Sequence, residues 1–410
     1  MMLLVVTACA PADQRAGART AGASSADTLR RSLGGNIVSG CVASFDSTVD
    51  YFPEQSRAVT ARQFSVEYHR NYKLLTVTPR EDTTLRIRYA LVQCGTPAPH
   101  GFDPRRVIEV PVRRAAVTYP DYHGVIDTLD LYDRVVAIGQ ERIVSVPKLR
   151  AALQDGRVME VGSQQHLDME RLIALKPDVV LSYWSVSPAA NAPAKVDEVG
   201  LKSAALVGHW ERTPLASLDW LKVVALYFNR EGDANAIVAA VSARYDSLRT
   251  LAAAAPIRDS LRYIAHPPAR DVWPLQRADH SAQARMHDAG LSYAMSSLVN
   301  GADFPSTSLE AALRAGRDAD FWFDAPAGWT STAKILDADS RLAEFRAVRE
   351  GHVYSWQRGR EGPDRVPFAE RWLSHPDETL ADLIAATRPA LLPGYQLHYL
   401  RRVPMDGAAP

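Results

Sequence analysis

Aromatic and polar side chains recur in this chain where short apolar runs give way to turns. Tyr183 and Trp184 end DVVLSYW, His209 and Trp210 end SAALVGHW, and Trp273 lies in VWPLQRADH. Flat rings gathered at such points can wall a bulky, partly apolar ligand; for any single Trp the alternative is core packing. Trp329 and Trp356 are further aromatic candidates. The polar candidates are Tyr122 and His123 after RAAVTY, Gln164 and His166 ahead of LDMERLIAL, and Arg270, Arg358 and Arg360. A guanidinium offers planar, bidentate donors to anionic oxygens, the alternative being a solvated loop side chain.

Other chemistries lack their residues. There is no G-x-S-x-G, H-E-x-x-H, G-x-x-x-x-G-K-[ST], C-x-x-C or G-x-G-x-x-G, and the Asp residues at element ends, Asp303 and Asp324, have no base or metal partner in the pattern. No enzyme is expected. Lys+Arg and Asp+Glu are both 47 in 410 residues. The chain therefore has no net field for nucleic acid or an anionic membrane. The eleven histidines are scattered, with no His-rich loop.

The elements that must position these residues fall into a sequence of blocks. At 47% hydrophobic the chain can bury a large core. MMLLVVTACA ends in Val6-Thr7-Ala8-Cys9, which resembles a bacterial lipobox with lipidation at Cys9. The run is short and no Lys or Arg precedes it; an ordinary secretory segment with an incidental Cys is the alternative. Residues 1–9 are read as the signal and 10–40, rich in Ala, Gly, Ser and Thr, as a flexible tether. After export Cys41 and Cys94 remain, and in an oxidising compartment they predict one disulfide, two buried thiols being the alternative.

Residues 41–112 alternate in strand fashion, as in FSVEY, YKLLTV and LRIRYALV. From 113 the rhythm changes to strands separated by helices, implying parallel βαβ units in an N-terminal lobe over 113–230. A long helix follows over 231–256, where Gly232 predicts a break from the helical segment before it, and a second α/β lobe occupies 257–403. The predicted fold is α/β: two lobes with central parallel sheets flanked by helices, joined by one long rigid helix, with a small β-rich N-terminal extension. Each lobe repeats a local pattern: Met169-Glu170 leads to Pro177-Asp178 and a strand, and Leu309-Glu310 leads to Ala319-Asp320 and FWFD.

The segments "LDMERLIALKPDVVLSY", "SLEAALRAGRDADFWFD", "TPLASLDWLKVVALYFN", "FRAVREGHVYS" and "PDETLADLIAATRPALLPGYQLHYLRRV", in that order, resemble the substrate-binding proteins of bacterial ABC importers for iron complexes and cobalamin, over roughly residues 60–403. The resemblance implies an extracytoplasmic protein, held to a membrane by lipid at Cys9, acting as a monomer without cofactor and partnering an ABC permease dimer and its ATPase. Its ligand would be an iron(III)–siderophore complex in the interlobe cleft, contacted by Tyr122, His123, Gln164, Tyr183, Trp184, Trp210, Trp273, Arg270 and Arg358. Glu170 and Glu310 would dock on permease arginines. For each Glu alone, the first-turn dipole position, and for Thr307-Ser-Leu-Glu310 a capping box, is the structural alternative. Cobalamin or haem is the alternative ligand, though Gln164-Gln165 stands where cobalamin binders carry an aromatic. A zinc- or manganese-binding importer component is a further alternative.

Overall fold

The computed structural model describes residues 35–140, 144–255, 261–301, 305–326, 328–356 and 368–406. The extension forms a four-stranded sheet from β1 (Phe64–Tyr68), β2 (Tyr72–Val77), β3 (Ile87–Gln93) and β4 (Val107–Val110). The first three pair antiparallel, and β4 joins β3 in parallel. The N-terminal lobe carries β5 (Ala115–Val117), β6 (Val135–Ile138), β7 (Met159–Glu160), β8 (Val179–Tyr183) and β9 (Ser203–Leu206) in the order β7-β6-β5-β8-β9, all parallel. AAV and SAAL are buried at every position, as a parallel strand covered on both faces requires.

Before β8 lies α1 (Met169–Leu175), and after β9 comes α2 (Trp220–Phe228), buried at all nine positions, as its apolarity all round demands. The break predicted at Gly232 falls earlier. Asn229 takes the left-handed conformation (φ 56°) that ends α2, and the next helix, α3 (Glu231–Ala254), runs through Gly232. A Cβ at Gly232 would stand 2.2 Å from the Glu54 carboxylate, which would have to swing aside. The first half of α3 supplies Ala234 and Val238 to the N-terminal core, and its second half supplies Tyr245, Leu248 and Ala252 to the C-terminal core. One helix thus spans both lobes.

The C-terminal lobe is built on β10 (Leu261–Ala265), the short β11 (Val272–Pro274), β12 (Leu291–Tyr293), β13 (Ser306–Ser308) and β14 (Phe321–Phe323). Its parallel sheet has the order β12-β10-β14, beside an antiparallel β11-β13 pair. Helix α4 (Ser281–Asp288) precedes β12, and α5 (Leu309–Gly316) precedes β14. The chain then returns through α6 (Phe368–Arg371) to α7 (Pro376–Thr387).

The extension is fused to the N-terminal lobe: Phe64, Leu75, Tyr89 and Ile108 share one core with Val117, Leu181, Trp220 and Phe228. Lys73, fully buried on β2, donates to the Leu226 carbonyl (2.6 Å), Asn229 Oδ1 (2.9 Å) and Glu231 Oε1 (2.6 Å), tying the sheet to the α2–α3 junction. Asn36 and Ile37, within the stretch assigned to the tether, are buried, and Asn36 Nδ2 donates to Glu231 Oε2 at 2.8 Å. Cys41 and Cys94 form a disulfide.

Candidate functional site

An open α/β sheet offers a ligand site beyond the carboxyl ends of its strands, and here the turn after β9 faces His280 and Arg277 of the C-terminal lobe. On the N-terminal side Tyr119 follows β5, Tyr183 ends β8, and His209 and Trp210 lie in the turn after β9. Ring centroids are 5.2 Å apart for Tyr119–Tyr183, 4.6 Å for Tyr183–His209 and 5.1 Å for His209–Trp210. Gly208 permits this turn to pack close: a Cβ would lie 2.6 Å from Trp220 and 2.7 Å from the Tyr122 hydroxyl. The Gly208 N–H donates to that hydroxyl at 3.2 Å.

The C-terminal lobe meets this wall with His280, whose ring is 6.4 Å from Trp210, and Arg277, whose guanidinium lies 5.8 Å over the Trp210 ring. His280 caps α4, accepting from the Ala282 N–H at 3.1 Å. On the same helix Arg285 is 4% exposed, and its Nε and Nη1 have no hydrogen-bond partner among the described residues. Trp356 and Phe368 cover it at 5.3 and 5.0 Å. Burial lowers Arg285 to about 10, so it stays charged at neutral pH.

Desolvation governs the other titrating groups. It pushes His209 down to about 3, and both its ring nitrogens are shut from water without a described partner, although the ring edge keeps some exposure. His280 falls to about 4, through burial and the nearby Arg285, Arg277 and Arg80. Asp121, partly accessible at its edge, is lifted to about 7 by burial, which outweighs the hydrogen bonds with Tyr119 and Trp372 that pull it down. At neutral pH the site therefore holds two neutral imidazoles, a half-protonated carboxyl and a buried cation. That set can stack on a flat ligand and neutralise an anionic one; just past the ends of β10 and β14, His266 Nδ1 lies 2.6 Å from Asp324 Oδ2, a partner for Asp324 that the sequence pattern did not show. Among the described residues, no three of His, Cys, Asp and Glu converge where they could hold a metal ion.

Of the residues selected from sequence, Tyr183 and Trp210 come together here. Trp184 does not; at 6% exposure it belongs to the N-terminal core. Trp273 is fully buried, 5.3 Å from both Trp322 and Phe345, with Nε1 donating to the Ala265 carbonyl at 3.0 Å. Tyr122 is fully buried in the core, and His123 is fully buried with Nδ1 on Glu370 Oε1 at 3.0 Å. The reason is local: Pro120 opens a tight turn, so Tyr119 reaches the wall while Tyr122 and His123, one turn on, face inward. Gln164 is buried in the loop after β7, and Arg270 is exposed in a tight turn. Trp329 packs edge-on to Trp322 in the C-terminal lobe. Arg358, Arg360 and Cys9 lie outside the described residues.

Tyr119 carries the same signal as its partners, an aromatic just after a strand. Arg285 carried none, because a lone Arg in SAQARMHD reads as solvated. Glu170 and Glu310 are both exposed in first helical turns. The α5 cap is Ser308, accepting from Ala311 N–H at 3.2 Å, so the capping box read on Thr307 does not form: Glu310 stands one position short of the N3 place that Ser308 sets. Glu310 lies 3.8 Å from Arg341.

Comparison with known proteins agrees with this architecture. An uncharacterized lipoprotein of Methanocaldococcus jannaschii is 22% identical over 258 residues; the match spans 61% of this chain and 58% of that protein's length. A possible iron-binding (periplasmic solute-binding) protein from Staphylococcus epidermidis superposes with a TM-score of 0.51 at 15% identity, over 68% of this chain and 99% of its own. A Helicobacter pylori protein, Ceue, solved with Ni(II) bound, gives a TM-score of 0.54 at 15% identity, over 70% and 88%. At these identities the likeness is one of fold: two α/β lobes. The sequence model described as periplasmic binding protein matches residues 116–358, and the chain belongs to that family.

Proposed function

We propose that this protein is the extracytoplasmic substrate-binding component of an ABC importer, and that it carries a bulky anionic metal chelate, an iron(III)–siderophore complex or one like it, in the interlobe cleft. The observation that carries this reading is the wall of Tyr119, Tyr183, His209 and Trp210 closed by His280 of the other lobe, with Arg285 buried nearby on the helix that His280 caps. Aromatic faces suit a large, partly apolar chelate, and a buried guanidinium whose Nε and Nη1 have no partner among the described residues suits anionic oxygens. An iron-binding and a nickel-bound protein among those of like fold accord with a metal-containing cargo. No described helix is long and apolar enough to cross a membrane; Cys9 would supply the anchor, a reading in keeping with the lipoprotein relative. Glu170 and Glu310, exposed on separate lobes, would meet basic pockets of two permease subunits.

The test is a tryptophan-fluorescence titration with ferric hydroxamate, ferric catecholate, ferric citrate, haem, cobalamin and free zinc. Saturable quenching by one ferric chelate, absent for its metal-free form and lost in Trp210→Phe, is expected. A response to zinc alone would overturn the reading.

A further inference from the structure

The residues that close the cleft do not all come from the two lobes. The turn joining β2 to β3, within the extension and ahead of the family match at residue 116, reaches both sides of the opening. Its base is pinned beside the aromatic wall. Arg80 N–H donates to Gln63 Oε1 at 2.8 Å, while Gln63 N–H donates to Glu211 Oε1 at 3.1 Å and Gln63 Nε2 to the Val207 carbonyl at 3.4 Å. Val207 and Glu211 bracket His209 and Trp210. From this base two side chains splay apart. Glu81 Oε2 accepts from the Val186 N–H at 3.2 Å, just past Tyr183 and Trp184. Arg80 crosses to the other lobe, donating from Nη1 to the Asp279 carbonyl at 3.1 Å and pairing through Nη2 with the Asp279 carboxylate. Asp279 also faces Arg277 Nε at 3.3 Å and directly precedes His280, the cap of α4.

We propose that this turn is an interlobe clasp. Arg80 on Asp279 ties the extension and N-terminal lobe to the start of α4, the helix carrying His280 and Arg285, and the cleft opens when that pair releases. The lobes are also joined by α3, by α6, whose Glu370 is buried against His123 and Ser145 in the N-terminal lobe, and by Leu215, which packs against both cores. The clasp is placed at the mouth, where it controls access, whereas a helix spanning both cores resists large hinge motion by stiffness alone. A guanidinium holding a carboxylate and the adjoining carbonyl has the geometry to fix orientation as well as distance. Its partial exposure, 19% for Arg80 and 41% for Asp279, keeps the pair weak enough to part. The role in ligand entry rests on the cleft being the ligand site; the tie between the lobes does not.

Spin labels at Ile173→Cys on α1 and Val272→Cys on β11, both exposed positions, in the full chain with Cys9→Ser, would report the interlobe distance without any ligand. The wild-type pair should give one narrow distribution. Arg80→Ala and Asp279→Ala should each raise the longer-distance population about three- to tenfold, as expected for a partly exposed pair with an added hydrogen bond. The exchanged double variant, R80D with D279R, should narrow the distribution again. Melting curves of each variant establish that it is folded. Should Arg80→Ala fail to fold, titrating the wild type from low salt to 1 M NaCl screens the same pair and should broaden the distribution. An unchanged distribution in folded Arg80→Ala, or in the wild type at 1 M NaCl, would overturn the clasp. Ligand titration then stands apart, since failure of every chelate to bind leaves these distances unaffected.

Discussion

The two lobes use aromatic residues at strand ends in opposite ways. In the N-terminal lobe Tyr183 and Trp210 reach the cleft, whereas in the C-terminal lobe Trp273, Trp322 and Phe323 are interior, packed against Phe345, Tyr354 and Tyr263. The difference follows from what each sheet has to fill its core. Five parallel strands, α2 and the extension sheet supply the N-terminal lobe with Val, Leu and Ile in quantity. The C-terminal sheet has three short strands, and large rings must occupy the volume that further strands would have covered. An aromatic residue at a strand end is therefore a cleft candidate only where the core is already full.

The sharpest way to break this contrast is to truncate one Trp from each lobe. Trp273→Ala should cost about 3–5 kcal/mol in denaturant unfolding, from lost burial and the cavity left behind. Trp210→Ala should cost under about 1 kcal/mol and instead weaken chelate binding. Equal losses would erase the distinction. A comparable cost is expected for Lys73→Ala: leaving Glu231 buried without its cation should destabilise by about 3–5 kcal/mol and expose the extension to limited proteolysis. If the extension were a loosely attached module, the melt of the lobes would not move.

Arg285→Met tests the other side of the cleft. Removing a buried cation should leave the melting temperature unchanged or raised, while affinity for an anionic chelate falls about 10- to 100-fold in an equilibrium titration, the worth of one charged hydrogen bond. A loss of stability with affinity intact would make Arg285 a core residue like Trp273.

A further effect is one of pH. Asp121 sits at about 7 in the fold against about 4 in an unfolded chain. A raised carboxyl pKa favours the neutral form, so this contribution is full below about pH 4 and is lost as pH rises through 7. The depressed His209 and His280 act oppositely, their contribution being lost as pH falls below about 6.5. Subtracting the melts of Asp121→Asn from those of wild type between pH 4 and 8 isolates the carboxyl, and the difference should shift against the wild type with rising pH. A flat difference would place Asp121 in solvent.

What the chain itself determined is the succession of elements. Apolar runs of the right length, Pro and Asp stops, and a 24-residue helix without interior Pro suffice for two α/β lobes and their connection, because these are local consequences of side-chain period and backbone preference. The disulfide partners and the exposed first-turn positions of Glu170 and Glu310 were also legible. Direction was not. Whether Tyr119 or Tyr122 reaches the cleft depends on one turn of chain after Pro120, and whether Trp184 or Trp210 does depends on which sheet face is already occupied. Arg285 looks like any surface arginine until Trp356 and Phe368 close over it, and Arg80 like any turn residue until Asp279, 199 positions away in sequence, arrives opposite. These are decided by packing between distant segments, where burial and charge are set by neighbours that no local pattern names.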